Sequence, residues 1–145
     1  MINIAIKSGD KVNAVGAEGD TPLLTAVRLG KHKAVKALLK NKADAAVKDA
    51  KGLSPMHLAA DGGFMNVILA LLTHGLDPNE PAESDGLRPL HRAVINGHTD
   101  ACKALLNAEV PPDQPTADGK VPTELTENVA VLEVLKKFGR TKDEV

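Results

Sequence analysis

Four prolines set the period of this chain. Pro22, Pro55, Pro89 and Pro122 lie 33, 34 and 33 residues apart, within the tetrapeptides Thr21-Pro22-Leu23-Leu24, Ser54-Pro55-Met56-His57, Arg88-Pro89-Leu90-His91 and Val121-Pro122-Thr123-Glu124. A fixed period of that size marks stacked supersecondary units, none of which can bury its apolar face alone. Such a stack works through the extended face it presents rather than through a pocket. Composition agrees: hydrophobic residues are 43% of the 145, yet there are two Phe and no Trp or Tyr. The apolar mass is therefore Ala, Leu and Val, which suits closely spaced helices better than one large core.

The first full unit shows the local logic. Thr21 is a good N-cap, since its hydroxyl can accept from an orphan amide of the first turn. Pro22 suits the first helical position, where a missing amide costs nothing. Leu23, Leu24, Ala26 and Val27 then make a short helix, ending at Gly30, that is too apolar to stand in water unsandwiched. A second helix is expected from Lys33 to Lys40, with Ala34, Val35, Leu38 and Leu39 on one stripe and lysines opposite. The next unit repeats this grammar: Ser54 caps, Met56, Leu58, Ala59 and Ala60 are buried, and Gly62-Gly63 turns the chain. Its second stripe is Val67, Ile68, Leu71 and Leu72, stopped by Gly75. The third unit runs from Pro89 to Gly97 and on through Ala101, Cys102, Leu105 and Leu106. Turn-rich links join the units, each with a glycine (Gly19, Gly52, Gly86, Gly119).

These residues resemble the ankyrin repeat, whose pattern centres on Thr-Pro-Leu-His-x-Ala. Ser54-Pro55-Met56-His57-Leu58-Ala59-Ala60 and Arg88-Pro89-Leu90-His91-Arg92-Ala93-Val94 follow it closely, as do Gly97-His98 and Gly75-Leu76-Asp77-Pro78-Asn79. The resemblance implies an all-α ankyrin-repeat solenoid of helix-turn-helix pairs with β-hairpin-like arms. One domain, 1–145, is expected: a partial repeat over 1–20, repeats over 21–53, 54–87 and 88–120, and a capping repeat over 121–145. Ile2 to Asn13 aligns with the tail of a repeat, so an outer helix is expected there. After Pro122 the unit is shortened, with Val129 to Phe138 as a last amphipathic helix.

Departures from the pattern carry information. Lys42 and Glu109 stand where Gly75 ends its helix, and a left-handed residue with a Cβ costs roughly 1 kcal/mol or more. Arg88 and Val121 occupy cap positions without a suitable oxygen, forfeiting about 0.5–2 kcal/mol each. On that basis Arg88→Thr is expected to stabilise the fold. Prolines in the links 75–87 and 108–120 predict arms that are stiffer and less hairpin-like than 41–53.

Catalysis is not expected. His57 and His91 fall on the family's motif histidine, a backbone-bonding role by resemblance. His98 and His32 lie at turns, where solvent or a local carbonyl is expected to meet them. His74 ends an outer helix, where positive charge suits the macrodipole. None has an i+4 partner for a helical zinc site, and Cys102 reads as a small buried hydrophobe. No metal, no cofactor and no catalytic residue is assigned. Lys+Arg 18 against Asp+Glu 19 offers no basic excess for nucleic acid or an anionic membrane. A monomer is expected. With no apolar signal at the N-terminus, so is a cytoplasmic or nuclear location.

The function implied is protein or peptide binding, with a regulatory or targeting part of a larger multidomain protein or enzyme as the rival. By the family's register, arm tips and exposed residues of first helices line a concave face. That assigns partner contact to Glu18, Asp20, Lys51, Leu53, Asp85, Leu87 and Lys120 on the arms, and to Arg28, Leu29, Asp61, Arg92, Ile95 and Asn96 on the helices. Leu29, Leu53, Leu87 and Ile95 either form an apolar patch or fold down onto neighbouring arms. Lys31, Lys33, Lys36, Lys40 and Lys42 make a basic convex patch, read as a solvated face or as a dock for an acidic partner.

Overall fold

The computed structural model describes residues 20–143, so Glu18 and the helix expected between Ile2 and Asn13 lie outside it. Three helix pairs follow one another: α1 (Pro22–Arg28) with α2 (His32–Lys40), α3 (Pro55–Gly62) with α4 (Met65–Thr73), and α5 (Pro89–Ile95) with α6 (Thr99–Asn107). A 3-10 turn, Pro122–Glu124, and a longer helix α7 (Val129–Asp143) complete the described chain. No strand occurs among the described residues. Inner helices pack on inner helices (α1 on α3, α3 on α5), outer on outer (α2 on α4, α4 on α6), and α7 closes on α6.

Isolated helices of seven to nine residues are not stable in water, so burial must hold these. Leu23, Leu24, Ala26 and Val27 of α1 are fully buried. Ala26, Ala59 and Ala93 recur four residues after their prolines, each at 0% exposure, where a small side chain lets successive inner helices approach. On the outer helices one column holds Val35, Ile68, Cys102 and Val131, and the next holds Leu38, Leu71, Leu105 and Val134. The register thus survives the shortening after Pro122. Each full burial of a Leu contributes about 1.5–3 kcal/mol.

Helix starts repeat one device with changing residues. Thr21 Oγ1 accepts from the Leu24 amide (3.3 Å) and Ser54 Oγ from the His57 amide (3.4 Å). The side chain three residues past the cap also reaches back to the cap amide. His57 Nδ1 accepts from Ser54 N (3.2 Å), His91 Nδ1 from Arg88 N (3.0 Å), and Glu124 Oε1 from Val121 N (2.9 Å). Val121 lacks a capping oxygen, but Glu124 meets the need of its amide.

Arg88 is not the empty cap its sequence position suggests. Its Nη1 donates to the Asn79 carbonyl (2.5 Å), and its Nε and Nη2 donate to the Gln114 carboxamide oxygen (3.0 and 3.2 Å). The oxygen takes that side because the guanidinium can only donate. Arg88 therefore ties link 75–87 to link 108–120, which removes the premise on which Arg88→Thr was expected to stabilise. The links need a second correction. Each closes with the same kind of backbone bond: Asp49 N to Leu53 O (3.0 Å), Ala82 N to Leu87 O (2.8 Å) and Thr116 N to Lys120 O (2.8 Å). Pro78, Pro81, Pro111, Pro112 and Pro115 all precede the closing donors, so they remove none of these bonds and the later links are no less hairpin-like. As expected, Lys42 and Glu109 adopt φ of 70°.

Candidate functional site: the link-tip face

Two ion clusters gather several of the residues assigned to partner contact: Asp20 and Arg28 in one, Asp61, Asp85, Arg92 and Asn96 in the other. Arg28, at the end of α1, donates from Nε to Asp20 (2.8 Å) and from Nη2 to Asp49 (2.9 Å), joining successive links. Asp49 also accepts from the amides of Lys51 and Leu53 at Oδ1, both at 2.9 Å. Burial opposes its charge, but the Leu53 amide, Arg28 and the Lys51 amide together hold its carboxyl below the usual aspartate range. Hydrogen bonding to Asp20 raises the proton affinity of Arg28; burial opposes this, and Asp49 adds to the rise.

The second cluster centres on Asp61, at the end of α3. Arg92 Nη1 donates to its Oδ2 (3.0 Å), Asn96 Nδ2 to its Oδ1 (3.2 Å), and His98 Nε2 to its carbonyl (2.9 Å). All three donors come from the following repeat. Arg92 Nη2 also reaches Asp85 on the link tip (2.6 Å), and Asp85 Oδ1 accepts from the Leu87 amide (2.9 Å). The carbonyl His98 meets is thus 37 residues away, not a local one. A third group, further along the links, pairs Lys48 Nζ with Glu80 (3.0 Å) and Glu83 (3.2 Å).

These clusters share a charge signature. Each holds two carboxylates to one cation, and link 75–87 carries Asp77, Glu80, Glu83 and Asp85 with no Lys or Arg. Meanwhile Lys31, Lys33, Lys36, Lys40 and Lys42 are all exposed on and around α2. A net charge of −1 therefore hides a polarised stack, acidic on link 75–87 and basic on the first outer helix.

Apolar assignments divide. Leu29 and Ile95 are exposed, at 58% and 49%. Leu53 is buried at 6%, because the Asp49–Leu53 hydrogen bonds fold its side chain down into the core, and Leu87 is half-buried. Of the two arrangements left open, Leu53 folds down, while Leu29 on α1 and Ile95 on α5 stay exposed. Lys51 and Lys120 are exposed on their tips.

Two residues that matter here escaped the sequence. Asp49 lies among four turn-formers, and only its position two residues before an amide it could accept from hinted at the role. Phe64 packs its ring against both Gly30 and Gly62: a Cβ on either would sit 2.7 or 2.3 Å from it. His98 occupies the same place over Gly63. The residues nine past Pro55 and Pro89 thus cover the glycine turn of the repeat before.

No catalytic arrangement emerges from the histidines. In His57 the Nδ1 accepts from Ser54 and Nε2–H donates to Glu80 O (2.6 Å); in His91 the Nδ1 accepts from Arg88 N and Nε2–H donates to Gln114 O (2.8 Å). Both rings are neutral struts with both nitrogens engaged, and burial lowers their proton affinity. Burial pushes the Cys102 thiol up to about 12, far from a nucleophile. No helix among the described residues is long and apolar enough to cross a membrane.

Helix pairs stacked at a 33–34-residue period, with capping histidines and glycine turns covered by the next unit, define a helical repeat solenoid. The family model for ankyrin repeats (3 copies) matches residues 1–82 and 35–116. This chain belongs to the ankyrin repeat family, whose repeats serve as protein-interaction modules rather than as enzymes. It is 40% identical over 62 residues to the human Notch-regulated ankyrin repeat-containing protein, covering 43% of this chain and 54% of that one. It is 35% identical over 79 residues to the ankyrin repeat and KH domain-containing protein mask-1 of Caenorhabditis elegans, covering 53% of this chain and 3% of the relative. Likeness to the mouse 2-5A-dependent ribonuclease is 40% over 63 residues, confined to 9% of that enzyme. The chain therefore matches about half the length of the Notch-regulated relative and small fractions of the other two.

Proposed function

We propose that this chain is a single ankyrin domain that captures a protein or peptide partner on its link tips and the C-terminal ends of its inner helices, without catalysis. The observation that carries this is the pairing of exposed Leu29 and Ile95 with ion clusters that each hold an excess carboxylate. An acidic surface punctuated by aliphatic side chains fits a basic segment with apolar residues of its own. The clusters are already tied together within the stack, so little side-chain freedom is lost when a partner arrives. Arg28, Arg92 and Asn96 serve mainly to hold Asp20, Asp49, Asp61 and Asp85 in place; the carboxylates and the two aliphatics make the contact.

Affinity capture from a cell extract tests this with wild type, Leu29→Ser/Ile95→Ser and Lys36→Glu/Lys40→Glu. Partners lost with the first variant and kept with the second support the reading. Partners kept by a folded Leu29→Ser/Ile95→Ser variant would refute it.

A further inference from the structure

The opposite side of the stack carries a second, differently built surface. Between the outer helices α2 and α4 runs a groove of about 480 Å³. Leu39, Leu69 and Ala70 give it an apolar part, and Lys36, Lys40, His32 and His74 line it with them. Leu69 is 44% exposed. It stands fourteen residues after Pro55, and the same register position in the neighbouring repeats holds Lys36 and Lys103, both exposed. One apolar side chain thus interrupts a row of lysines at a place where the stack asks only for solubility.

The charge around the groove is one-sided. Neither α2 nor α4 contains an Asp or Glu, and the acid on the outer face of the next helix is Asp100, on α6. Lys36 and Lys40 form no ion pair among the described residues, although they lie one turn apart on the same helix. Like charges at that spacing oppose each other, so a pair of carboxylates between them would relieve the repulsion. The groove is lined by no Arg, Phe, Tyr or Trp to stack on bases, its two imidazoles His32 and His74 being its only rings, and its apolar part offers a phosphate backbone nothing.

We infer that this convex groove is a second docking site, and that its occupant is an acidic amphipathic peptide segment of a partner. One aliphatic or aromatic side chain seats against Leu39 and Leu69, and flanking carboxylates face Lys36 and Lys40. The site is independent of the link-tip face: it lies on other helices, has the opposite charge and selects the opposite peptide.

The test uses the full chain and fluorescence anisotropy with a labelled peptide of glutamates flanking a leucine stripe at helical spacing. Its controls are the Gln-for-Glu twin, a Lys-for-Glu twin and a single-stranded oligonucleotide. Wild type should bind the glutamate peptide at least tenfold more tightly than the glutamine twin or the oligonucleotide. Leu69→Ser should weaken it several-fold. Lys36→Glu/Lys40→Glu should lose it and gain the lysine peptide, a swap that a merely damaged fold would not produce. All the substituted side chains are exposed, and thermal melts confirm folding. Equal binding of the glutamate and glutamine peptides, tighter binding of the oligonucleotide, or no effect of the charge reversal would overturn the site. Leu29→Ser/Ile95→Ser should leave this binding unchanged, so failure here and failure of the link-tip reading are told apart.

Discussion

Replacing Arg88 by Thr sets two physical effects against each other, and the structure says which wins. Thr supplies the missing cap oxygen, a gain of about 1 kcal/mol. The loss is a guanidinium bridge to two acceptors on different links, the Asn79 carbonyl and the Gln114 carboxamide. Hydrogen bonds from a charged donor contribute about 1.5–3 kcal/mol each; because Arg88 is only half-buried, the low end applies, giving about 3 kcal/mol for the pair. The net expectation is a loss of about 2 kcal/mol, or roughly 4–8 °C in melting temperature for a chain of this size. Thermal and urea unfolding followed by circular dichroism read it directly. Arg88→Ala separates the two effects, since it removes the bridge and adds no cap, and it should fall about 1 kcal/mol below Arg88→Thr. A cycle with Gln114→Ala should show positive coupling. A raised midpoint for Arg88→Thr would refute the bridge.

Other expectations follow from the same contacts. Gly62→Ala would place a Cβ 2.3 Å from the Phe64 ring, so it should destabilise wild type yet be neutral or mildly stabilising in a Phe64→Ala background, where helix propensity alone acts; urea midpoints of the four variants check the change of sign. His57 and His91 have folded-state proton affinities lowered by burial, so the unfolded chain binds more protons below its ordinary value of 6.5. Stability should be full above that pH and fall as pH drops through it and below, and a pH series of melts should show a flatter slope in His91→Gln. Cys102, buried and held up to about 12, should react with a thiol probe only as fast as the stack opens, which a denaturant titration of the labelling rate measures.

Much of the fold was legible because its signals are local. The Pro22, Pro55 and Pro89 caps, the alanines four residues on and the outer stripes all follow from short-range periodicity. Pro122 could likewise be read as opening a shortened unit. Register put Asp20, Arg28, Asp61, Asp85 and Arg92 on one proposed face, and the structure links them in two ion clusters. What could not be read depends on which residue of one repeat meets which residue of the next. The burial of Leu53 is set by the turn that Asp49 organises, and the bridge of Arg88 by carbonyls nine and 26 residues away. The reach of His98 to Asp61 spans 37 residues. Long side chains at variable positions carry no periodic signal, so their partners appear only when the repeats are stacked.

The proposed function has partners held by the link tips and inner-helix ends around Leu29, Asp61, Arg92 and Ile95. Amide-resolved NMR titration of the full chain with a captured partner tests it most directly. Perturbations should cluster on Asp20, Leu29, Asp49, Asp61, Asp85 and Ile95. The affinity should fall about two orders of magnitude in Leu29→Ser/Ile95→Ser, since two half-exposed aliphatics contribute about 1.5 kcal/mol each. Perturbations confined to α2, α4 and α6, with affinity unchanged in that variant, would contradict the account.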